Sequence, residues 1–179
     1  ENIQKFLIQT SILDRMTAPL CDAITGQKDG QAILDTLDHA NLFLVPLDDQ
    51  RRWFSYHHLF ADLLRWRLRQ TQSDQERENH DRASNWYQQN DFIDEAIEHA
   101  LKGENFERAI HLLEVHIDEL WGRGEHERLQ RWLDALPQEI LFSRPYILIF
   151  QARGQYERGQ LDAAERILAI AENALDISV

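Results

Sequence analysis

The chain has little that would cross-link it, anchor it or let it run a reaction. Among its 179 residues there is one cysteine, Cys21. No internal disulfide can form, and a lone thiol suits a reducing compartment. The longest apolar run, from Leu42 to Leu47, is strand-sized, far short of the ~20 residues of a membrane span. The N-terminus has no basic stretch leading into an apolar one, as a signal peptide would. No Gly precedes a Lys, so the phosphate-binding loop G-x-x-x-x-G-K-[ST] is absent. Cations are also scarce: 19 Lys and Arg stand against 31 Asp and Glu, a net charge of −12. That balance opposes phosphate contacts along a nucleic acid. The local exception, Arg65-Trp66-Arg67-Leu68-Arg69, reads as a solvated helix face. So many carboxylates give coincidental pairs everywhere, so no acid–base pair stands out. No nucleophile elbow is present.

What remains is ordinary for a globular protein: 43% hydrophobic and 28% charged residues, enough for one large domain or two small ones. Ile3, Phe6, Leu7 and Leu13 have helical spacing. Thr17 and Pro19 are start signals for a second short helix that ends near Gly26. Ile33, Leu34 and Leu37 mark a third, over 31–40. Leu42 to Leu47 then reads as a strand, Asp48 to Arg51 as a turn, and Trp53 to Tyr56 as the returning strand. Three helices and a hairpin make a winged-helix pattern, closed by a helix from His57 to about Gln70. The polar stretch Thr71 to Gln75 breaks the chain, and Ser73 with Glu76 forms a capping box that starts a new helix. The expected domains are therefore 1–72, a winged helix, and 73–179, helical repeats.

The repeat is visible in the spacing. Trp86, Trp121 and Tyr156 stand 35 residues apart. Asn90, Gly124 and Gly159 follow as helix stops, and Phe92, His126 and Leu161 open the next helices. Two helices in a period near 34 is the arithmetic of tetratricopeptide-type arrays. Helices are expected near 75–90, 92–102, 104–121, 125–136, 144–158 and 161–175, with the repeated aromatic filling the gap between paired helices. Each such unit has an apolar stripe that only a neighbour can cover, so the array is expected to continue beyond residue 179. The fold class is mainly α: a winged helix followed by a TPR-like, right-handed α–α array. At helical spacing Trp66, Trp86, Trp121 and Trp132 are expected in the core, and Cys21 as a small core residue.

The most informative stretch is Trp53-Phe54-Ser55-Tyr56-His57-His58-Leu59-Phe60-Ala61-Asp62-Leu63-Leu64-Arg65. It sets His57 and His58 at a strand-to-helix junction. The first N–H groups of the helix lack partners there and attract anions, phosphate above all. An imidazole at that place can donate to a phosphate oxygen. A metal is disfavoured, since neighbouring side chains on a helix diverge by about 100° and zinc needs three or four ligands. His111 and His116 are badly spaced for one face, and His80, His99 and His126 are scattered.

The chain also resembles a family. The residues that carry the likeness are Phe6-Leu7-Ile8-Gln9-Thr10-Ser11-Ile12-Leu13-Asp14, Leu20 to Gly26, Asn41 to Asp49 and Tyr56 to Leu64. They continue with His80-Asp81-Arg82-Ala83-Ser84-Asn85-Trp86-Tyr87, Glu95 to Leu101 and Trp132-Leu133-Asp134-Ala135-Leu136-Pro137. In this order they resemble the segment after the nucleotide-binding core in large ATP-binding, LuxR-family transcription regulators. These are MalT-like members of the STAND class of signal-transduction ATPases.

The resemblance implies a bacterial, cytoplasmic regulatory segment with no catalytic activity of its own. It would couple nucleotide state to inducer sensing. An N-terminal ATPase domain of the same polypeptide would hold ADP or ATP. A small-molecule or protein inducer would act on the repeats, and self-association would accompany the active state. DNA would be bound only through a C-terminal domain absent here. In the related STAND proteins of immunity a Met-His-Asp motif opens the equivalent helix, and its His contacts the β-phosphate of ADP. That maps onto His57 as a phosphate sensor. The third position departs, with His58 in place of Asp, and His58 is expected to be structural. The alternative is a helical-repeat scaffold for protein–protein interaction, with no nucleotide role.

Overall fold

The computed structural model describes residues 2–40, 42–71 and 73–176, in two compact units that divide between Phe92 and Ile93. The first contains α1 (Asn2–Thr10), α2 (Ala18–Thr25), α3 (Gly30–His39), β1 (Leu44–Pro46), β2 (Phe54–Tyr56), α4 (His58–Thr71) and α5 (Ser73–Gln89). The start signals of α2 act as the sequence implies. Thr17 is extended and its hydroxyl accepts the Leu20 N–H at 3.4 Å, with Pro19 in the first turn. Gly26, at φ 72, closes the helix by donating its N–H to Asp22 O at 2.9 Å. Phe6, Leu13, Met16, Leu20, Ile24, Leu34, Phe54 and Leu68 form the buried core.

The hairpin is shorter than its hydrophobic runs. β1 and β2 pair antiparallel with Leu44 opposite Tyr56 and Pro46 opposite Phe54. At one end Pro46 has no N–H to give. At the other, Phe43 sits at φ 57 and leaves the extended conformation. β2 is paired on its second side too, through reciprocal bonds between Met16 and Phe54 at 2.8 and 2.9 Å.

The break expected at residue 72 lies between α4 and α5, but the compact unit runs on to Phe92. The reason is the polar face of α5. Asn79 Nδ2 donates to Gln9 O at 3.2 Å, Arg82 Nη1 to Ile24 O at 2.7 Å, and the Tyr87 hydroxyl to Arg15 O at 3.3 Å. The Arg15 guanidinium in turn lies over Trp53 at 4.7 Å and Phe92 at 5.4 Å. The Ser73 side chain, half of the expected capping box, lies outside the described residues; Glu76 instead accepts from Arg69 Nε at 3.3 Å.

The second unit comprises α6 (Ile93–Lys102), α7 (Phe106–Gly122), α8 (His126–Asp134), α9 (Gln138–Phe142), α10 (Pro145–Glu157) and α11 (Leu161–Asp176). Five of these match the expected spans to within two residues at each end; α9 is a short turn of helix after Pro137 that the spacing does not announce. Asn105 caps α7 through the Arg108 N–H at 3.2 Å, and Gly124 and Gly159 provide left-handed stops.

The repeated aromatic does not do what its spacing suggests. Trp86 is half-buried, Trp121 is 8% exposed and Tyr156 is 64% exposed. What recurs is a stack on the residue that opens the next helix: Trp86 on Phe92 at 6.2 Å and 9°, Trp121 on His126 at 4.1 Å and 17°. The third opener is Leu161, which has no ring, and Tyr156 stays open. Beside Trp86 it is Tyr87, 1% exposed, that fills the core.

Candidate functional site

The junction between β2 and α4 is rigid in its backbone and open in its side chains. The His57 N–H donates to Phe43 O at 2.8 Å, and its carbonyl accepts the N–H groups of Phe60 at 2.9 Å and Ala61 at 3.0 Å. His57 thus occupies the N-cap of a 14-residue helix. Beneath it Tyr56 is buried; its hydroxyl meets Thr10 Oγ1 at 2.7 Å, which also bonds Phe6 O at 2.8 Å. Burial pushes the Tyr56 phenol well above its ordinary range, against the opposing effect of the Thr10 bond. Phe43 adopts left-handed backbone, which costs a residue with a Cβ about 1–2 kcal/mol. Its ring stacks on Phe60 at 4.7 Å, so part of that cost is offset by an aromatic contact.

The two imidazoles are exposed, 4.4 Å apart and tilted by 32°. Neither forms a hydrogen bond or ion pair among the described residues. The N–H groups of His58 and Leu59 head the helix, so an anion at this end could meet them together with a ring N–H. The expectation that His58 packs as a structural residue is not met: it is as open as His57. No group of three His, Cys, Asp or Glu side chains among the described residues could hold a metal.

The hairpin and α4 also expose apolar side chains. Leu42, Phe43, Val45, Leu47, Leu59 and Leu63 are all exposed. Trp66, expected in the core, is 61% exposed, because α4 buries Ala61, Leu64 and Leu68 and turns Leu59, Leu63 and Trp66 outward. Between α1 and α4 lies a groove of about 460 Å³ lined by Leu7, Ile8, Phe60, Leu63 and Trp66 among others. Sequence reasoning missed Phe43 and this groove. A non-glycine residue at positive φ leaves no compositional mark, and an outward apolar stripe looks like a core stripe.

Other candidates resolve to structure. Arg65 is no solvated patch residue: its Nε donates to Ser11 O at 2.8 Å, and its Nη2 reaches Leu13 O at 3.4 Å and Asp14 Oδ1 at 2.8 Å. Cys21 is fully buried, and burial first, then the Asp22 charge, hold its thiol far above the usual range. Trp121 and Trp132 are buried as expected. No helix is long and apolar enough to cross a membrane among the described residues.

Residues 1–76 match the family described as the MalT winged helix domain. The hairpin, the three helices before it and the helix after it are that domain's elements. Over its wider length the chain is 31% identical to the HTH-type transcriptional regulator MalT of Cronobacter sakazakii, across 175 residues. That match covers 96% of this chain and 19% of that protein. It is 33% identical over 142 residues to the serine/threonine-protein kinase PknK of Mycobacterium tuberculosis, 79% of this chain and 13% of that protein; the PknK of Mycobacterium bovis matches equally. The chain therefore spans less than a fifth of each of these relatives. It is a segment of the MalT-like, LuxR-family regulator type.

Proposed function

We propose that the chain is the regulatory segment of a signal-responsive, ATP-dependent LuxR-type transcriptional activator. It couples nucleotide state in a neighbouring ATPase domain to inducer sensing by helical repeats of the TPR type. The observation that carries this reading is His57, an unengaged imidazole at the head of α4 on a backbone fixed from both sides. In the closed state its ring donates to a phosphate of ADP held by the ATPase domain. ATP exchange and inducer remove that contact, free the winged helix and permit self-association; DNA is bound by another domain of the same cytoplasmic polypeptide. This is a two-state element biased by ligands at two sites. The segment itself catalyses nothing. ADP release from the full-length protein, wild type against His57→Ala, tests the reading. Faster release from the variant supports it, and equal rates remove His57 from the switch.

A second reading has its own observation. On α11, Leu161, Leu168 and Leu175 are exposed at seven-residue spacing, an apolar stripe suited to another helix. A relative named as a kinase and one named as a transcription regulator both match much of this chain, which fits a repeat scaffold that holds a protein partner without nucleotide. Transcriptional output that is indifferent to His57→Ala but lost on Leu168→Glu favours that reading.

A further inference from the structure

The groove between α1 and α4 is formed by helices that run in opposite directions. The Tyr56 hydroxyl meets Thr10 Oγ1 at 2.7 Å, which sets the end of α1 beside the start of α4. Gln4, early in α1, therefore shares the far end of the groove with Arg67 and Gln70, while Leu7, Ile8 and Leu63 line its apolar body. Both helices already bury another face, through Phe6 on α1 and through Ala61 and Leu68 on α4. The groove walls are what remains. Leu63 and Trp66 are 58% and 61% exposed, and Leu59, one turn earlier, continues their stripe. From Leu59 to Gln70 the axis of α4 advances about 16 Å, roughly three turns of helix.

Charge narrows the occupant of this apolar surface. The chain has 31 Asp and Glu, yet none of the described ones lines the groove. α1 and α4 together carry Lys5, Arg65, Arg67 and Arg69 against Asp62 alone. Arg65 turns to Asp14 at 2.8 Å and Arg69 to Glu76 at 3.3 Å. Lys5, one turn before Ile8, and Arg67, in the lining, set the sign at the groove itself. A small molecule is a poor match, because ligand pockets enclose most of the surface they hold and two walls here are more than half open. A second copy joined through the same face would set Lys5 and Arg67 against their own counterparts. Nucleic acid has the right charge, but its phosphates call for Lys and Arg rather than a wall of leucines. An apolar groove with a cationic rim suits a helix that is apolar on one face and acidic beside it.

We propose that the α1–α4 groove docks an amphipathic, acidic helix of a partner protein. Its apolar side chains enter between Leu7, Ile8, Leu63 and Trp66, and its carboxylates face Lys5 and Arg67. The surface stands on its own geometry and does not depend on the role of His57. Fluorescence anisotropy with the 179-residue chain tests it. The probe is a labelled peptide of about four helical turns, with leucines on one face and glutamates beside them. One control exchanges the glutamates for lysines, and a second exchanges the leucines for serines. Saturable binding of the probe at one site per chain is expected, with both controls at least tenfold weaker. Raising salt from about 50 to about 300 mM should weaken the probe severalfold. Leu63→Glu and Trp66→Gln should each weaken it at least tenfold while melting like the wild type, since both side chains are exposed. The double variant Lys5→Glu, Arg67→Glu should turn the preference toward the lysine peptide. The proposal fails if the probe does not saturate below about 100 μM, if the lysine peptide binds the wild type as well, or if Leu63→Glu binds unchanged. It also fails if sedimentation shows a dimer of the chain that Leu63→Glu abolishes, which would give the groove to a second copy.

Discussion

The N–H of His57 donates to the carbonyl oxygen of Phe43 at 2.8 Å, and Phe43 offers that carbonyl from a left-handed backbone, at φ 57. One strained residue therefore sets the position of the histidine that heads α4. Backbone strain persists where surrounding contacts over-determine it, and here they do. The Phe43 ring is stacked on Phe60, and Leu44, the next residue, is in register with Tyr56. The consequence is a fixed N-cap with a free side chain, which is the form a ligand sensor requires.

His57→Ala and His58→Ala should accordingly leave the fold alone. Both side chains are exposed and bond to nothing among the described residues, so each change should lie within about 0.5 kcal/mol of wild type. Urea unfolding of the 179-residue chain checks this. In the full-length protein only His57→Ala should alter ADP release. A hydrogen bond to a charged group contributes roughly 1.5–3 kcal/mol, which amounts to about 10- to 150-fold in the closed-to-open ratio.

Trp86 and Tyr87 should separate clearly. Tyr87 is buried, meets Phe92 edge-on at 6.0 Å and bonds Arg15 O. Tyr87→Ala should cost on the order of 3–5 kcal/mol. Trp86 is half-buried and offers mainly its stack on Phe92, so Trp86→Ala should cost about 1–2 kcal/mol. A larger loss at Trp86 than at Tyr87 would return the repeated aromatic to the core.

That pair also shows how far the sequence reads. The 35-residue period located the helices, because turn residues and apolar stripes are local signals. It could not say which of two adjacent aromatics points inward, since a helix step of about 100° separates them. The winged helix was legible for the same local reasons: Thr17, Pro19 and Gly26 punctuate α2, and two short apolar runs around the polar turn from Asp48 to Arg51 mark the hairpin. The assignment of α5 to the first unit was not legible, because it rests on side chains such as Asn79 and Arg82 reaching backbone carbonyls some 60 to 70 residues away. For the candidate site, the His pair and its helix terminus could be read directly. The strain at Phe43 and the outward face of α4 could not.

Arg65 provides a test of that kind of long-range bond. Its guanidinium closes the end of α1 through Ser11 O and Leu13 O. Arg65→Gln should destabilise the chain by about 1–3 kcal/mol, the penalty for leaving part-buried carbonyls unpaired. Arg65→Lys should recover little of it, because an ammonium lacks the fork that reaches several acceptors at once. Chemical denaturation of both variants reads the effect, and full recovery by Lys would reduce Arg65 to a simple charge.

The same buried chemistry predicts how the protein fails in base. Cys21 and Tyr56 both have acid groups raised by burial from ordinary values of 9.0 and 10.0. Above pH 9 the unfolded chain releases the Cys21 proton while the folded chain keeps it, and above pH 10 the same holds for Tyr56. The unfolded state then binds fewer protons than the folded one, so stability falls as pH rises. The stabilising difference is complete below pH 9 and is lost progressively above it. Urea midpoints measured from pH 7.5 to 11 should therefore be flat at first, bend downward near 9 and steepen beyond 10. Cys21→Ala should remove the first bend and Tyr56→Phe should soften the second, each at some constant cost in stability. A thiol reagent at pH 8 should react with Cys21 only after unfolding. Rapid labelling of the native chain, or alkaline slopes identical in the wild type and both variants, would show that these two groups do not set its alkaline limit.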